Sequence, residues 1–417
     1  MNKAEIINKK KPKNNWVADE VEKCLSCFDP PCQEACPAHI PIPDFIRAIK
    51  SGNAKHASKL IRAANPIASI CGEVCPEEVF CQSSCTRSQI DSPIKIRELH
   101  GYATRHRPVS VSGEAKSKGK VAIIGSGPAG LACARQLAIE GLQVTIHERD
   151  TVIGGVPSSS IPHFRLSDDV IEADIDHIKK LGVKINLNAA VDNPQKLLKD
   201  FDAVFLATGL PSGKGTNVPG SDLPQVLSAL AFLNDVKEGK AKDIQGKSVA
   251  IIGGGNVSLD VAASAVEAGA SEVHLLYRRG PVEMKVWRTE LEEAQDRGVV
   301  IDYLVTPVEY VEKDGKLQAV RCIRTKLTDE IDSSGRRKTI AVSGTEFDLH
   351  SDIVIEAIGL DSDFASDIKV NADLSTSVDG LFAGGDWARG EGTIVEAVRD
   401  GKLAAEKIIH YLKDKKL

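Results

Sequence analysis

Cysteine is the residue type in this chain whose spacing most strongly suggests chemistry. Eight of the ten cysteines form two runs, Cys24-Leu-Ser-Cys27-Phe-Asp-Pro-Pro-Cys32-Gln-Glu-Ala-Cys36-Pro and Cys71-Gly-Glu-Val-Cys75-Pro-Glu-Glu-Val-Phe-Cys81-Gln-Ser-Ser-Cys85. Such spacings, with proline after a cysteine, are typical of iron–sulfur ligation, in which the last cysteine of a run can bind the other cluster. Zinc also binds thiolates at C-x-x-C spacing and is the alternative.

A glycine-rich motif follows the first apolar strand pattern of the chain. Gly125-Ser-Gly-Pro-Ala-Gly130 comes directly after Lys120-Val-Ala-Ile-Ile, and Glu148 ends the next strand pattern. In a Rossmann unit such glycines turn tightly, admit a pyrophosphate and start a helix whose amides face it, while the acid accepts hydrogen bonds from ribose. The motif therefore predicts a dinucleotide site on Gly125, Gly127, Ala129, Gly130 and Glu148.

A second glycine motif, Gly253-Gly-Gly255-Asn-Val-Ser258, follows Lys247-Ser-Val-Ala-Ile-Ile. Where an NAD site would place an acid, this chain has Arg278 and Arg279, with Lys285 close behind. Arginine binds a 2′-phosphate that a carboxylate would repel, so we expect NADPH, with NADH possible. The alternative is two solvated arginines after a strand. The predicted site comprises Gly253, Gly255, Asn256, Val257, Arg278, Arg279 and Lys285.

The segment Leu381-Phe-Ala-Gly-Gly-Asp386 is similar to the second flavin motif of reductases with two dinucleotide domains. It adds Gly385 and Asp386 to the predicted flavin site. Thr393 follows and begins a helical pattern whose N-terminus could stabilise a reduced flavin anion. An ordinary helix cap is the alternative at Thr393.

These motifs need supporting elements, and the composition allows them. The 417 residues, 42% hydrophobic and 27% charged, are typical of a globular chain with two or three domains. Apolar residues at helical spacing predict helices in the cysteine-bearing region, and Ser110 to Lys120 reads as a linker. Strands ending at Ala207-Thr-Gly and Ala357-Ile-Gly predict where one Rossmann domain is inserted into the other.

The predicted fold is therefore α/β, with an N-terminal α-helical iron–sulfur domain followed by two Rossmann-like domains, for FAD and NADPH, the second inserted in the first. We expect the helical domain at 1–108, the FAD domain at 109–212 and 357–417, and the NAD(P)H domain at 213–356.

The net charge and the absence of targeting signals in the sequence restrict the binding partners and the cellular location that we expect. The formal net charge of −5 and pI near 6.1 give no electrostatic reason to expect nucleic-acid binding. The N-terminus lacks an apolar signal segment, and no long apolar run occurs. We expect a cytoplasmic protein without membrane contacts, which also argues against disulfides.

Together these motifs resemble the flavin and nicotinamide subunit of bacterial dihydropyrimidine dehydrogenase, over nearly the whole chain. The resemblance to the glutamate synthase small subunit is more distant. The two cysteine runs and Ser92-Pro-Ile-Lys-Ile-Arg-Glu-Leu favour the pyrimidine branch.

The resemblance implies two 4Fe–4S clusters with interleaved ligands. One cluster would take Cys24, Cys27, Cys32 and Cys85, and the other Cys36, Cys75 and Cys81. His100 stands where the family has a glutamine as fourth ligand, and an exposed, non-ligating histidine is the alternative. Cys71 matches a family cysteine outside the ligand set.

The resemblance also implies that Gly155, Arg165 and Asp260 contact the flavin. Ser160 departs from the family, which usually has glycine before Ile161-Pro162.

The implied chemistry is hydride transfer from the nicotinamide to the flavin, followed by single-electron transfer to the clusters. It needs no protein acid or base, so no catalytic residue is predicted. The acceptor is expected on an FMN-containing, pyrimidine-reducing partner subunit. Alternatives are a glutamate-synthase-type reductase and a non-catalytic zinc and nucleotide scaffold. A thioredoxin-reductase mechanism is excluded, because no C-x-x-C pair follows residue 85.

Overall fold

A computed structural model describes residues 16–105, 119–362, 364 and 368–415. Residues 110–118 of the predicted linker, and the predicted boundary at 108/109, lie outside this described part.

The cysteine domain, residues 16–105, is built from short helices. Their bounds are α1 Trp16–Glu22, α2 Pro31–Glu34, α3 Ile42–Lys50, α4 Ala54–Ala64, α5 Ala68–Val74 and α6 Ile96–Thr104, with 3-10 turns at Glu77–Val79 and Thr86–Gln89. Helix α3 buries Ile42, Phe45 and Ile46 on one face, as its apolar spacing predicts. Helices α5 and α6 approach closely, since a Cβ on Gly72 would lie 2.9 Å from the Gly101 Cα.

The first Rossmann unit follows. Its elements are β1 Lys120–Ile124, α7 Pro128–Ile139, β2 Gln143–His147, α8 Val156–Ser159, α9 Asp168–Lys179, β3 Lys184–Asn186 and β4 Ala203–Leu206, completed by β16 Leu381–Ala383, α13 Asp386–Arg389 and α14 Ile394–Asp414. The strands pair in the parallel order β16-β4-β1-β2-β3. Strand β1 is buried on both faces, which explains its uninterrupted apolar sequence.

The second Rossmann unit repeats this plan. It comprises β6 Val226–Ser228, α10 Ala229–Lys237, β7 Ser248–Gly253, α11 Asn256–Glu267, β8 Glu272–Tyr277, α12 Arg288–Asp296, β9 Val300–Tyr303 and β14 Ile353–Ala357. The strands pair in the parallel order β6-β14-β7-β8-β9. An antiparallel sheet of β10 Val305–Lys313, β11 Lys316–Ile331, β12 Arg337–Ala341 and β13 Phe347–His350 is inserted before β14.

Two short strands mark the passages between the Rossmann units. Strand β5, Ser212–Gly213, pairs antiparallel with β15, Leu360–Asp361. The chain thus enters the second unit near residue 212 and returns to the first for β16, which confirms the predicted insertion. The boundaries at 212/213 and 356/357 stay predictions, which these strand positions support.

One apolar core joins the cysteine domain to the first Rossmann unit. It includes Phe45 and Leu99 from the former and Val398 and Ile408 of α14 from the latter. The second unit has its own core around β7 and α11. Within the described residues, no helix combines the length and apolarity needed to cross a bilayer.

Candidate functional site

A cavity of about 570 Å³ opens at the carboxyl end of β1. Its walls include the predicted residues Gly125, Gly127, Glu148 and Gly155. This volume falls within the usual range for small-molecule and cofactor sites. Its position, where a strand passes through a glycine turn into a helix, is that of a dinucleotide site.

The first motif requires glycine at Gly130 and at Gly127 for two different structural reasons. A Cβ on Gly130 would lie 2.1 Å from the Gly125 carbonyl oxygen, so Gly130 allows the helix to pack on the strand. A Cβ on Gly127 would meet nothing within 4 Å and would project into open space. Gly127 is therefore not needed for internal packing, and its missing side chain fits the close approach of a pyrophosphate.

Glu148 is buried and holds the glycine loop in place. Its Oε2 accepts hydrogen bonds from the Ser126 amide, at 2.8 Å, and from the Ser126 hydroxyl. Its Oε1 accepts from the Asp150 amide at 2.9 Å. Each carboxylate oxygen can accept further bonds, so the predicted ribose contact is compatible with this arrangement.

The second flavin motif packs against the first. A Cβ on Gly385, whose φ is +68°, would lie 3.1 Å from the Ala129 Cβ. Burial raises the pKa of the adjacent Asp386 to about 6, and Arg389 opposes this shift.

Thr393 caps α14, because its hydroxyl accepts a hydrogen bond from the Glu396 amide while the Glu396 carboxylate accepts one from the Thr393 amide. The Thr393 side chain is thus a helix cap, and the stabilisation of a reduced flavin by the N-terminus of α14 stays a prediction.

In the nicotinamide motif, too, one glycine is required for packing and another faces open space. A Cβ on Gly253 would lie 2.3 Å from the Ala357 oxygen, whereas one on Gly255 would meet nothing within 4 Å. Asn256 and Val257 form the first turn of α11, and Asn256 Oδ1 accepts from the Trp287 amide at 2.9 Å.

The three predicted basic residues have different surroundings. Arg278 is exposed. Arg279 is buried, pairs with Asp332 at 2.5 Å and donates to the Arg337 carbonyl at 2.9 Å. The Lys285 ammonium donates to the Ser334 carbonyl at 2.9 Å.

Burial of part of the Arg278 side chain lowers its pKa, and the charges of Arg279 and Arg336 lower it further. Arg336 is brought to this place by the β11–β12 hairpin. Sequence reasoning missed Arg336, because no local signal places a hairpin 58 residues downstream beside β8.

Arg165 and Asp260 meet each other at the contact between the two Rossmann units. The guanidinium of Arg165 pairs with Asp260 at 2.5 Å and also with Glu290. Burial raises the pKa of Glu290 to about 8, although Arg165 opposes this. Glu290 was not predicted from the sequence, and the flavin contacts of Arg165 and Asp260 stay predictions.

Cys24, Cys27, Cys32 and Cys85 line one small cavity, here called the outer thiol cavity. The Cys27 thiol lies 3.7 Å from the Thr86 hydroxyl. Burial, together with Cys85 and Cys24, raises the pKa of Cys32 to about 12. Four thiolates can share this space only with a bound cation, and metal coordination deprotonates a thiol outright. The donor set therefore fits a metal centre.

Cys36, Cys71, Cys75, Cys81 and His100 line a second cavity, the inner thiol cavity. His100 is 6% exposed, so the alternative of an exposed histidine is wrong. Its Nε2 is buried and has no hydrogen-bond partner, and burial lowers its pKa to about 4. A neutral imidazole with an unused nitrogen, in a residue that lines the same cavity as these thiols, suits a metal ligand.

Across the described residues, no three His, Cys, Asp or Glu side chains converge on a point suited to a single metal ion. The thiols instead surround the two cavities. Cys71 also reaches the inner cavity, and burial raises its pKa to about 12.

Two family profiles match this chain. Residues 119–401 match the family described as pyridine nucleotide-disulphide oxidoreductase. Residues 2–110 match dihydropyrimidine dehydrogenase domain II, 4Fe-4S cluster. The predicted 4Fe–4S chemistry of the N-terminal domain is thereby confirmed, in preference to zinc.

Named relatives align with most of the chain. The NADP(+)-dependent formate dehydrogenase subunit beta of Moorella thermoacetica is 40% identical over 92% of this chain, which spans only 60% of that protein. The NAD-dependent dihydropyrimidine dehydrogenase subunit PreT of Escherichia coli is 34% identical, covering 94% of this chain and 93% of PreT. The small chain of glutamate synthase (NADPH) from the same organism is 32% identical, covering 94% and 91%.

Among solved structures, Mycobacterium tuberculosis FprA in complex with NADPH aligns with a TM-score of 0.63 at 20% identity, over 72% of this chain and 85% of FprA. This likeness establishes a shared fold over the aligned part of the chain. Because one family profile spans most of its length, the chain belongs to the pyridine nucleotide-disulphide oxidoreductase family and is an NAD(P)H-dependent FAD oxidoreductase with a 4Fe–4S domain.

Proposed function

We propose that this chain takes electrons from NADPH and delivers them, through two 4Fe–4S clusters, to an FMN-containing partner subunit that reduces pyrimidines such as uracil. The observation that carries the proposal is the sorting of the cysteines into two cavities on a domain that shares its core with the first Rossmann unit. When bound, FAD accepts a hydride and the clusters carry single electrons.

The protein's own residues bind and orient these groups. Gly127 and Gly255 leave room for two pyrophosphates at the starts of α7 and α11, whose free amides favour anions. Arg278 and Arg336 offer positive charge to a 2′-phosphate, which favours NADPH over NADH. We assign Cys24, Cys27, Cys32 and Cys85 to one cluster, and Cys36, Cys75, Cys81 and His100 to the other.

The order of the clusters follows from their surroundings. Val395, in the first turn of α14, lines the inner thiol cavity and lies two residues after Thr393 of the flavin site. Cys24, Cys27 and Cys32 in the outer cavity are only partly buried. We infer that electrons pass from the flavin side to the inner cluster, then to the outer cluster and the partner.

The relatives support a partner, because PreT is named as a subunit and the glutamate synthase protein as a small chain. A pyrimidine acceptor is preferred because the N-terminal profile is that of a dihydropyrimidine dehydrogenase domain. A glutamate-synthase-type acceptor is the second candidate, supported by the nearly full-length match to that small chain. A cytoplasmic location stays part of the proposal.

Anaerobic co-purification from the native source, followed by mass spectrometry, identifies the partner. We expect an FMN-binding pyrimidine reductase, and we expect the isolated complex to reduce uracil with NADPH. Recovery of a glutamine-amidotransferase-containing protein in its place, with glutamine-dependent NADPH oxidation, would contradict the pyrimidine assignment and favour the second candidate.

A further inference from the structure

Lys402 connects the first Rossmann unit to the cysteine domain. It lies on α14, and its half-buried ammonium donates hydrogen bonds to the Ala38 carbonyl at 3.0 Å and the Ala64 carbonyl at 2.8 Å. Both acceptors belong to the cysteine domain, 364 and 338 residues away in sequence. The contact is therefore a tertiary one between the two domains.

The two carbonyls lie at places where a nearby cation stabilises the structure, one in the Cys36 loop and one at the carboxyl end of α4. Ala38 lies two residues after Cys36, and Ala64 is the last residue of α4. The carboxyl end of a helix carries partial negative charge that a lysine stabilises. Lys402 thus draws the Cys36 loop and the end of α4 towards α14.

Lys402 also brings a positive charge close to the inner thiol cavity. Burial lowers the pKa of its ammonium, while the nearby Cys36 side chain acts in the opposite direction. Arg135 of α7 is a second buried cation that acts on Lys402. Because its ammonium is bonded to the Ala38 carbonyl, Lys402 places a positive charge next to the loop that carries Cys36.

Resting on the proposed function, we propose that Lys402 raises the reduction potential of the inner cluster and holds its cysteine loop against the flavin-binding unit. Reduction adds one negative charge to a cluster, and a nearby cation stabilises the more negative state. Lys402 is thus a positioning residue that favours electron entry into the inner cluster.

The test is an anaerobic redox titration of the full chain, monitored by electron paramagnetic resonance, with iron and labile sulfide measured in parallel. Lys402→Met removes the charge and both hydrogen bonds, Lys402→Gln keeps a donor without charge, and Lys402→Arg keeps the charge. Lys413→Met, an exposed lysine on the same helix, is the matched control.

We expect the ratio of reduced to oxidised cluster, for one cluster at fixed ambient potential, to fall on the order of tenfold in Lys402→Met and Lys402→Gln, equal to ~59 mV for one electron. The other cluster should change less, and Lys402→Arg and Lys413→Met should match the wild type. Unchanged potentials in either neutral variant with full iron content would overturn the inference. So would loss of iron in both neutral variants, since Lys402 would then act in assembly.

The same experiment separates this inference from the proposed function. Wild-type protein without iron and sulfide would contradict the two-cluster assignment itself. Wild-type protein with both clusters, and neutral variants with unchanged potentials, would contradict only the role of Lys402.

Discussion

Arg278 and Arg279 are neighbours in sequence with the same chemistry, yet the structure gives them different tasks. Arg279 is engaged by Asp332 and the Arg337 carbonyl, whereas Arg278 is exposed beside Arg336. Only a cation without a strong internal partner is available for a ligand phosphate. We therefore expect nucleotide specificity to depend on Arg278 and Arg336 more than on Arg279.

We predict that Arg278→Ala raises KM for NADPH by about ten- to a hundred-fold, since a charge-assisted hydrogen bond contributes about 1.5–3 kcal/mol. KM for NADH should change less than about twofold. Steady-state kinetics with both nucleotides provides the measurement, and Arg321→Ala, which loses only surface pairs with Glu309 and Asp348 on the same unit, is the control. Equal losses with NADPH and NADH would defeat the assignment.

For His100, the sequence could predict one property of the residue and not another. Its position as the fourth ligand could be proposed from the family pattern, but its burial could not. Burial depends on the close packing of α5 on α6 through Gly72, and a Cβ there would lie 3.3 Å from the His100 ring. Ion pairs such as Arg165 with Asp260 and Glu290 are equally beyond a local pattern, since 95 and 125 residues separate the partners.

Among the elements, the helix starts of the two Rossmann units were predictable because their signals are local. A buried apolar strand, a glycine turn and a helix of small residues occupy about twenty consecutive positions. The antiparallel sheet β10–β13 was not predicted, because its register depends on pairings between distant segments.

We predict opposite outcomes for two alanine substitutions in the first glycine motif. Gly130→Ala forces a Cβ against the Gly125 carbonyl and should destabilise the fold by about 1–3 kcal/mol. Gly127→Ala should leave stability within about 0.5 kcal/mol, yet weaken FAD binding at least about tenfold, because its methyl group enters the cavity. Thermal unfolding and FAD titration separate the two. Retention of wild-type FAD affinity in Gly127→Ala would contradict the flavin assignment of this cavity.

At the scale of the whole molecule, a buried ion pair joins the cysteine domain to the first Rossmann unit. Arg62 of α4 and Asp174 of α9 are 4% and 0% exposed and lie 2.6 Å apart. Asp174 also accepts from the Ile70 amide at 3.0 Å. The pair fixes the orientation of the cluster-bearing domain.

We predict that Asp174→Ala destabilises the protein by about 3–5 kcal/mol, because it leaves the buried Arg62 charge without its carboxylate partner. Asp176→Ala, an exposed aspartate on the same helix, should change stability by less than about 0.5 kcal/mol. Replacing both members, as Arg62→Met with Asp174→Leu, should recover much of the loss. Anaerobic unfolding followed by circular dichroism provides the comparison, and equal stability of the two single variants would refute a role for this pair.

The central claim is that two separate sets of side chains in one chain each hold a four-iron cluster. The most direct measurement is the iron, labile sulfide and zinc content of anaerobically purified protein, for the wild type and for Cys85→Ala, Cys81→Ala and Cys133→Ala. We predict about eight iron and about eight sulfide per wild-type chain, about half of each in Cys85→Ala and in Cys81→Ala, and the wild-type content in Cys133→Ala, whose thiol is buried in α7. Stoichiometric zinc without iron or sulfide, or equal iron in all four proteins, would contradict the account.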